Sequence, residues 1–197
     1  IFIWFHKLNK KIVVIGSTGK LGSKLLHFLF KNKIKIFATT CFKNKKKLFE
    51  QKKKYNIRNS LTLSNDYDRE IFIKLLESKI DIIYFLDYGS FSLKYLNHFL
   101  KFNNRSIIAI ANKELIIAGG SILQKKICDK NNIFIPLDSE HYSLFNSNIK
   151  NENINKIYIT ASGGPFYFNK KLNFSYVSSK KVLSHPKWKM GKNNLID

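Results

Sequence analysis

Disulfide chemistry has little to work with in this chain. Cys41 and Cys128 are its two cysteines among 197 residues; they form no CxxC pair and lay out no disulfide framework, so a reducing compartment is expected. No apolar run approaches the roughly 18 residues that a bilayer-spanning helix needs. Ile1-Phe2-Ile3-Trp4-Phe5 is apolar but too short for a signal-peptide core, and it lacks a small-residue cleavage site. Acidic residues are scarce too: 13 stand against 35 lysines and arginines, a formal charge of +22. That balance favours contact with nucleic acid or an anionic surface. The lysines, however, are spread along the chain beside abundant Asn, Ile and Phe, and read as a general drift that fills solvated positions. Neither a nucleic-acid nor a membrane partner is expected.

What is present is an alternation of strand-like and helical runs, which predicts an α/β protein with a mainly parallel sheet covered on both faces. Strands are expected at Lys11–Ile15, Lys35–Thr39, Leu61–Leu63, Ile80–Leu86, Ser106–Ile110 and Ile133–Leu137. Helices are expected at Lys20–Phe30, Asn44–Tyr55, Tyr67–Glu77, Ser90–Phe102 and Glu114–Lys130. Past Asn146 an Asn-rich stretch reads as a linker or surface loop, and Ile157-Tyr158-Ile159-Thr160 alternates like a strand entering a second domain. The length holds one full domain and the start of another. Because the chain begins at Ile1 and stops at Asp197 in mid-pattern, a longer parent polypeptide is expected.

Gly16-Ser17-Thr18-Gly19-Lys20-Leu21-Gly22 follows the first strand and opens the first helix. Glycines there allow a tight turn and close approach of a pyrophosphate, and the helix start supplies unpaired N–H groups. The spacing is GxxGxxG rather than GxGxxG, so an ordinary Gly-rich turn is the competing reading. After the second strand an NAD enzyme usually places an acid for the ribose 2′-hydroxyl. This chain has Ala38-Thr39-Thr40-Cys41-Phe42-Lys43-Asn44 and no acid until Glu50, which favours the 2′-phosphate of NADPH. Lys43 as part of a solvated basic helix face is the alternative. Asp138 and Glu140 leave the end of the last predicted strand at i and i+2, which puts both carboxylates on one side and suits Mg²⁺ or Mn²⁺. Helix capping before His141–Phe145 would use the same residues.

Together with this turn, Ala111-Asn112-Lys113-Glu114, Pro136-Leu137-Asp138-Ser139-Glu140-His141, Ala161-Ser162-Gly163-Gly164-Pro165-Phe166 and His185-Pro186-Lys187-Trp188-Lys189-Met190-Gly191 closely resemble the 1-deoxy-D-xylulose 5-phosphate reductoisomerase family. The resemblance runs from about Lys11 to Asp197. It implies a Rossmann-like, doubly wound NADPH-binding domain over residues 1–145 and the beginning of an α+β catalytic domain over 146–197. The implied activity is NADPH- and metal-dependent rearrangement and reduction of the sugar phosphate to 2-C-methyl-D-erythritol 4-phosphate, in the non-mevalonate route to isoprenoids. It further implies a homodimer as full-length protein, in a bacterial-type cytoplasm, or an organelle if an upstream targeting segment was lost. By the same resemblance Thr18, Gly19, Lys20 and Leu21 line the cofactor pyrophosphate. Lys43 and Asn44 take the 2′-phosphate side, and Asn112, Glu114 and Gly191 make further cofactor contacts. Lys113, Ser139, Glu140, Ser162 and His185 contact substrate, and Asp138 and Glu140 hold the metal. Lys113, Asp138 and Glu140 carry the catalysis.

Three departures accompany the resemblance, one being that the segment from Asn59 to Ile80 is shorter than usual. Phe42 stands where the family usually has Gly, and Asp87-Tyr88-Gly89-Ser90-Phe91 replaces a small Gly-x-x-Gly-like turn. The family's third carboxylate ligand falls beyond Asp197, so these residues alone are expected not to turn over substrate. Another NADPH-dependent dehydrogenase, a basic nucleic-acid-binding protein and an inactive dinucleotide-binding remnant stay open as competing readings.

Overall fold

The computed structural model describes residues 10–147, 154–160, 164–167 and 173–184. The chain divides into two compact units, Ile1–Asn148 and Ile149–Asp197. The first holds six four-residue strands: β1 (Ile12–Ile15), β2 (Ala38–Cys41), β3 (Asn59–Thr62), β4 (Ile82–Phe85), β5 (Ile107–Ile110) and β6 (Ile133–Pro136). They pair in parallel in the order 3-2-1-4-5-6. This is the doubly wound arrangement, with its topological switch between β1 and β4.

Near-continuous apolar runs make β1, β4, β5 and β6, because a parallel sheet is covered on both faces, whereas β2 (Ala-Thr-Thr-Cys) and β3 (Asn-Ser-Leu-Thr) are largely polar. Side chains alternate accordingly. Ile12, Val14 and Ile82 pack with Leu26 and Leu29 of α1 (Lys20–Lys31). Val13, Ile15, Ile83, Phe85, Ile108 and Ile110 point the other way. They meet Phe72 and Leu76 of α3 (Asp66–Leu76), Tyr95 and Phe99 of α4 (Leu93–Phe102), and Leu115 of α5 (Lys113–Asp129). The basic helix α2 (Lys45–Tyr55) buries only Leu48 and Gln51 and leaves its lysines exposed apart from the half-buried Lys47. That pattern suits lysines on a solvated surface. Edge strand β6 tolerates Pro136, and α6 (Ser139–Asn146) follows it.

Three expectations need correcting. The second strand lies at Ala38–Cys41, not Lys35–Thr39, because pairing with β1 begins at Val13↔Ala38 and with β3 runs to Cys41↔Thr62. The apolar run before it is the approach to the sheet. The helix expected through Glu114–Lys130 is broken at Gly120, whose φ of 52° and ψ of −152° only glycine adopts readily. Finally, residues 157–160 form no strand among the described residues. Ile157, Tyr158 and Ile159 are 55%, 81% and 81% exposed, so the alternating pattern buries no face there. In the same unit the described residues form two 3₁₀ turns, Gly164–Phe166 and Phe174–Tyr176, and a short helix α7 (Ser179–Val182).

One buried side chain ties the helical layer to the start of β4. Asn103 donates from Nδ2 to the Leu76 carbonyl at 2.7 Å and accepts from the Ile80 N–H at 2.8 Å. Asn103→Ala strands both backbone groups in the core, and such groups cost about 1–3 kcal/mol each. Urea denaturation is expected to register a loss of about 2 kcal/mol or more.

Candidate functional site

The ends of β1, β2 and β4 squeeze the glycine turn from both sides. Gly16 has φ +78°, and a Cβ there would lie 2.6 Å from the Asp87 nitrogen that follows β4. On the other flank the Ser17 N–H donates to the Thr40 carbonyl of β2 at 2.9 Å. A Cβ at Gly22 would meet the Gly16 oxygen at 2.5 Å, so α1 can only start this close to the turn without a side chain. From α2 the buried Gln51 Nε2 donates to the Ser17 carbonyl at 2.9 Å, and its Oε1 accepts from the Ser17 hydroxyl at 2.9 Å. The sequence reading missed Gln51. A polar, uncharged residue one turn after Leu48, on the buried side of a lysine-rich helix, was the available signal.

Helices α2, α3 and α5 start under side-chain caps from Asn44, Asn65 and Asn112. Helix α1 starts at Gly19 with no side-chain cap. The amides of its first turn, Lys20 and Leu21 among them, therefore remain for an anion. Thr18 is half-buried and Lys20 and Leu21 are exposed around that start.

At the end of β2 the outcome is mixed. Lys43 is exposed, its ammonium 5.8 Å from the Phe42 ring centroid. Asn44 spends its side-chain oxygen on the Lys47 N–H at 3.2 Å, capping α2. Thr39 and Thr40, whose hydroxyls the sequence offered to a phosphate, are fully buried. Thr39 instead pairs with Ser60 of β3 at 3.2 Å. The cause is the register shift already noted: both threonines lie inside the sheet.

Beside β4, Asp87 is held by Asn112, which donates from Nδ2 to Asp87 Oδ1 at 3.3 Å and to the Gly89 carbonyl at 2.8 Å. Asn112 Oδ1 accepts from the Leu115 N–H at 3.1 Å. Burial pushes the Asp87 carboxyl above its usual range; the Asn112 hydrogen bond works against the shift, and the charge of Glu114 adds to it. Asn112 thus ties the β4 loop to the start of α5. Lys113 and Glu114 open that helix, both half-buried.

Beyond β6, Asp138 occupies the capping position of α6 with an extended backbone but makes no capping bond. Its Oδ2 lies 2.6 Å from His141 Nδ1, while the Ser139 hydroxyl donates to Glu140 Oε2 at 2.9 Å. Strand alternation does not relate Asp138 to Glu140, because β6 ends at Pro136 and Ser139 is already helical. Their relation is that of a helix cap to the second helical residue. Among the described residues no group of three His, Cys, Asp or Glu side chains could hold a metal ion. Ser162, His185 and Gly191 lie outside the described residues. Among the described residues no helix is long and apolar enough to cross a membrane.

Residues 134–197 match the family model described as the 1-deoxy-D-xylulose 5-phosphate reductoisomerase C-terminal domain. Sequence relatives include the 1-deoxy-D-xylulose 5-phosphate reductoisomerases of Pelagibacter ubique (37% identical over 211 residues) and Persephonella marina (32% over 203). Those alignments take in 95% of this chain and 54% and 52% of the two relatives, so the chain spans about half the length of the curated relatives it matches. Among solved structures, the enzyme from Zymomonas mobilis in complex with NADPH superposes with a TM-score of 0.75 at 23% identity, covering 90% of this chain and 52% of that one. A DOX-P reductoisomerase in complex with NADPH, fosmidomycin and magnesium gives 0.75 at 23%, covering 95% and 54%. At that identity the structural likeness carries the fold alone, and it agrees with the Rossmann-like sheet.

The raised Asp87 pKa has a signed consequence. The folded chain holds this proton more tightly than the unfolded one, so stability is lost as pH rises from the ordinary aspartate value of about 3.9 through the raised folded value. Asp87→Asn removes that loss while keeping an acceptor for Asn112. Thermal melts are expected to show a higher Tm than the parent at pH 7, with the two converging as pH falls below 4.

Proposed function

From the similarity of this chain to 1-deoxy-D-xylulose 5-phosphate reductoisomerases, we propose that it supplies the NADPH-binding domain and part of the metal and substrate site of such an enzyme. The reaction is NADPH- and divalent-metal-dependent conversion of 1-deoxy-D-xylulose 5-phosphate to 2-C-methyl-D-erythritol 4-phosphate. One observation carries the reading. The uncapped, glycine-lined start of α1 lies at the β1/β4 switch, and the Asp138-Ser139-Glu140 group follows β6 at the same carboxyl edge of the sheet.

The residues divide the work by position. Amides of Lys20 and Leu21, with Thr18 and Gly19, receive the pyrophosphate. Lys43 pairs with the 2′-phosphate, in place of the acid that an NAD site carries after its second strand. Asn112 acts as a positioning residue that fixes the β4 loop against α5, and Glu114 and Gly191 complete the cofactor contacts. NADPH, when bound, supplies the hydride. Lys113, first residue of α5 after β5, is placed to hold substrate from the carboxyl edge, the side where ligands bind in such sheets.

Asp138 and Glu140 offer hard carboxylate oxygens of the type that suits Mg²⁺ or Mn²⁺. A cation held there would polarise the substrate's oxygens during rearrangement. His141, 2.6 Å from Asp138, would fix the orientation of that carboxylate. Ser139, Ser162 and His185 bind the sugar phosphate. The full-length protein works as a homodimer in a bacterial-type cytoplasm.

Calorimetric titration of the 197-residue chain tests the cofactor half. NADPH is expected to bind at least about tenfold more tightly than NADH, a difference of about 1.4 kcal/mol. Lys43→Ala is expected to remove most of that preference and to leave NADH affinity unchanged. Equal affinities in the parent chain, or a preference for NADH, would contradict the proposal.

A further inference from the structure

Phe42 and Phe91 are 46% and 39% exposed, yet they touch each other, with ring centroids 5.3 Å apart and planes at 66°. Phe42 directly follows β2, and Phe91 lies in the 3₁₀ turn Ser90–Ser92 after β4. Strand β1 runs between those two strands, so β2 and β4 are separated by two strand spacings, about 9–10 Å. The ring pair therefore reaches across the end of β1, where the glycine turn begins. Phe91 is anchored from below: its ring packs edge-on at 5.8 Å against Tyr95, which packs at 5.2 Å against Phe72, and both of those are fully buried. Among the described residues Phe42 belongs to neither core cluster. Each ring also carries a cation, Lys94 Nζ at 4.1 Å from the Phe91 centroid and Lys43 Nζ at 5.8 Å from that of Phe42.

The adenosine half of a dinucleotide in such a fold lies beside the end of β2, where its ribose 2′ position is read. An exposed aromatic pair flanked by lysines, spanning that position, has the chemistry for a purine carrying phosphates. We infer that Phe42 and Phe91 form an adenine clamp: Phe91 is the fixed jaw, and Phe42 turns about χ1 to exchange its ring contact for a stack on the base. This rests on the NADPH reading above and adds two residues that set affinity for the adenosine end. The edge-to-face contact as it stands leaves no slot between the rings. Entry of the base therefore requires Phe42 to swing, and the turn of this exposed side chain costs no core packing.

Two half-cofactors separate the jaws from the rest of the site. On the full 197-residue chain, titration calorimetry with 2′,5′-ADP reports the adenosine half, and reduced nicotinamide mononucleotide reports the other half. Phe42→Ala and Phe91→Ala are each expected to weaken 2′,5′-ADP roughly 5- to 150-fold, the effect of losing one base–aromatic stack, and to leave the mononucleotide within about twofold. Phe42→Tyr should retain 2′,5′-ADP affinity. Thermal melts should keep Phe42→Ala close to the parent Tm, which separates the clamp from a packing role. If Phe42→Ala binds 2′,5′-ADP as well as the parent or better, the ring is a plug and the clamp is wrong. If the parent chain binds neither 2′,5′-ADP nor NADPH, the cofactor reading falls first and the clamp with it.

Discussion

A side chain at position 16 would place its Cβ 2.6 Å from the Asp87 nitrogen, and the rest of the carboxyl edge is arranged around that contact. Because Gly16 can press against the β4 loop while Ser17 bonds to β2, the turn sits directly over the switch point of the sheet. Gly22 then lets α1 begin against the turn itself. The result is a helix start held between two strand ends with its first amides uncapped. A rigid sheet edge is what allows a loop to present such groups without the entropic cost of ordering them on binding.

Polar groups around the turn reinforce this geometry. Gln51 locks Ser17 from the α2 side, and Asn112 locks the β4 loop from the α5 side. Both are buried and both bond to backbone carbonyls, so their partners would be left without bonds in the interior if they were lost. Tyr95, whose phenol burial pushes up to about 12, stays neutral across physiological pH and supports the aromatic chain beneath Phe91. With 35 basic residues the chain has cations to spare, but position decides their use. Those of α2 lie mostly on a solvated surface, with Lys53 and Lys54 over that helix's own Phe49 and Tyr55, whereas Lys43 and Lys94 stand over the rings that flank the crevice.

Much of the fold could be read directly. The apolar runs of β1, β4, β5 and β6, alternating with helical stretches, identify the parallel sheet, and the glycine turn after β1 identifies its switch. Legibility failed where local pattern competes with pairing. The run Ile34–Phe37 is as apolar as a strand, but the hydrogen-bond partners for β2 lie further on, at Ala38–Cys41, and only the three-dimensional register reveals that. For Asp138 and Glu140 the period-two argument fails, since a helix begins between them and ends the strand alternation. Phe42 and Phe91 were invisible as a pair because they come from two separate segments. Their meeting depends on strand order, which no single stretch of sequence states.

The central claim is that the β1–α1 turn of this chain receives the dinucleotide pyrophosphate. A crystal structure of the 197-residue chain grown with NADPH tests it most directly. Pyrophosphate oxygens within about 3 Å of the Lys20 and Leu21 amide nitrogens, with the adenosine end on the β2 side, are the expected result. A dinucleotide bound away from that turn, or running in the opposite sense along the sheet edge, would contradict it.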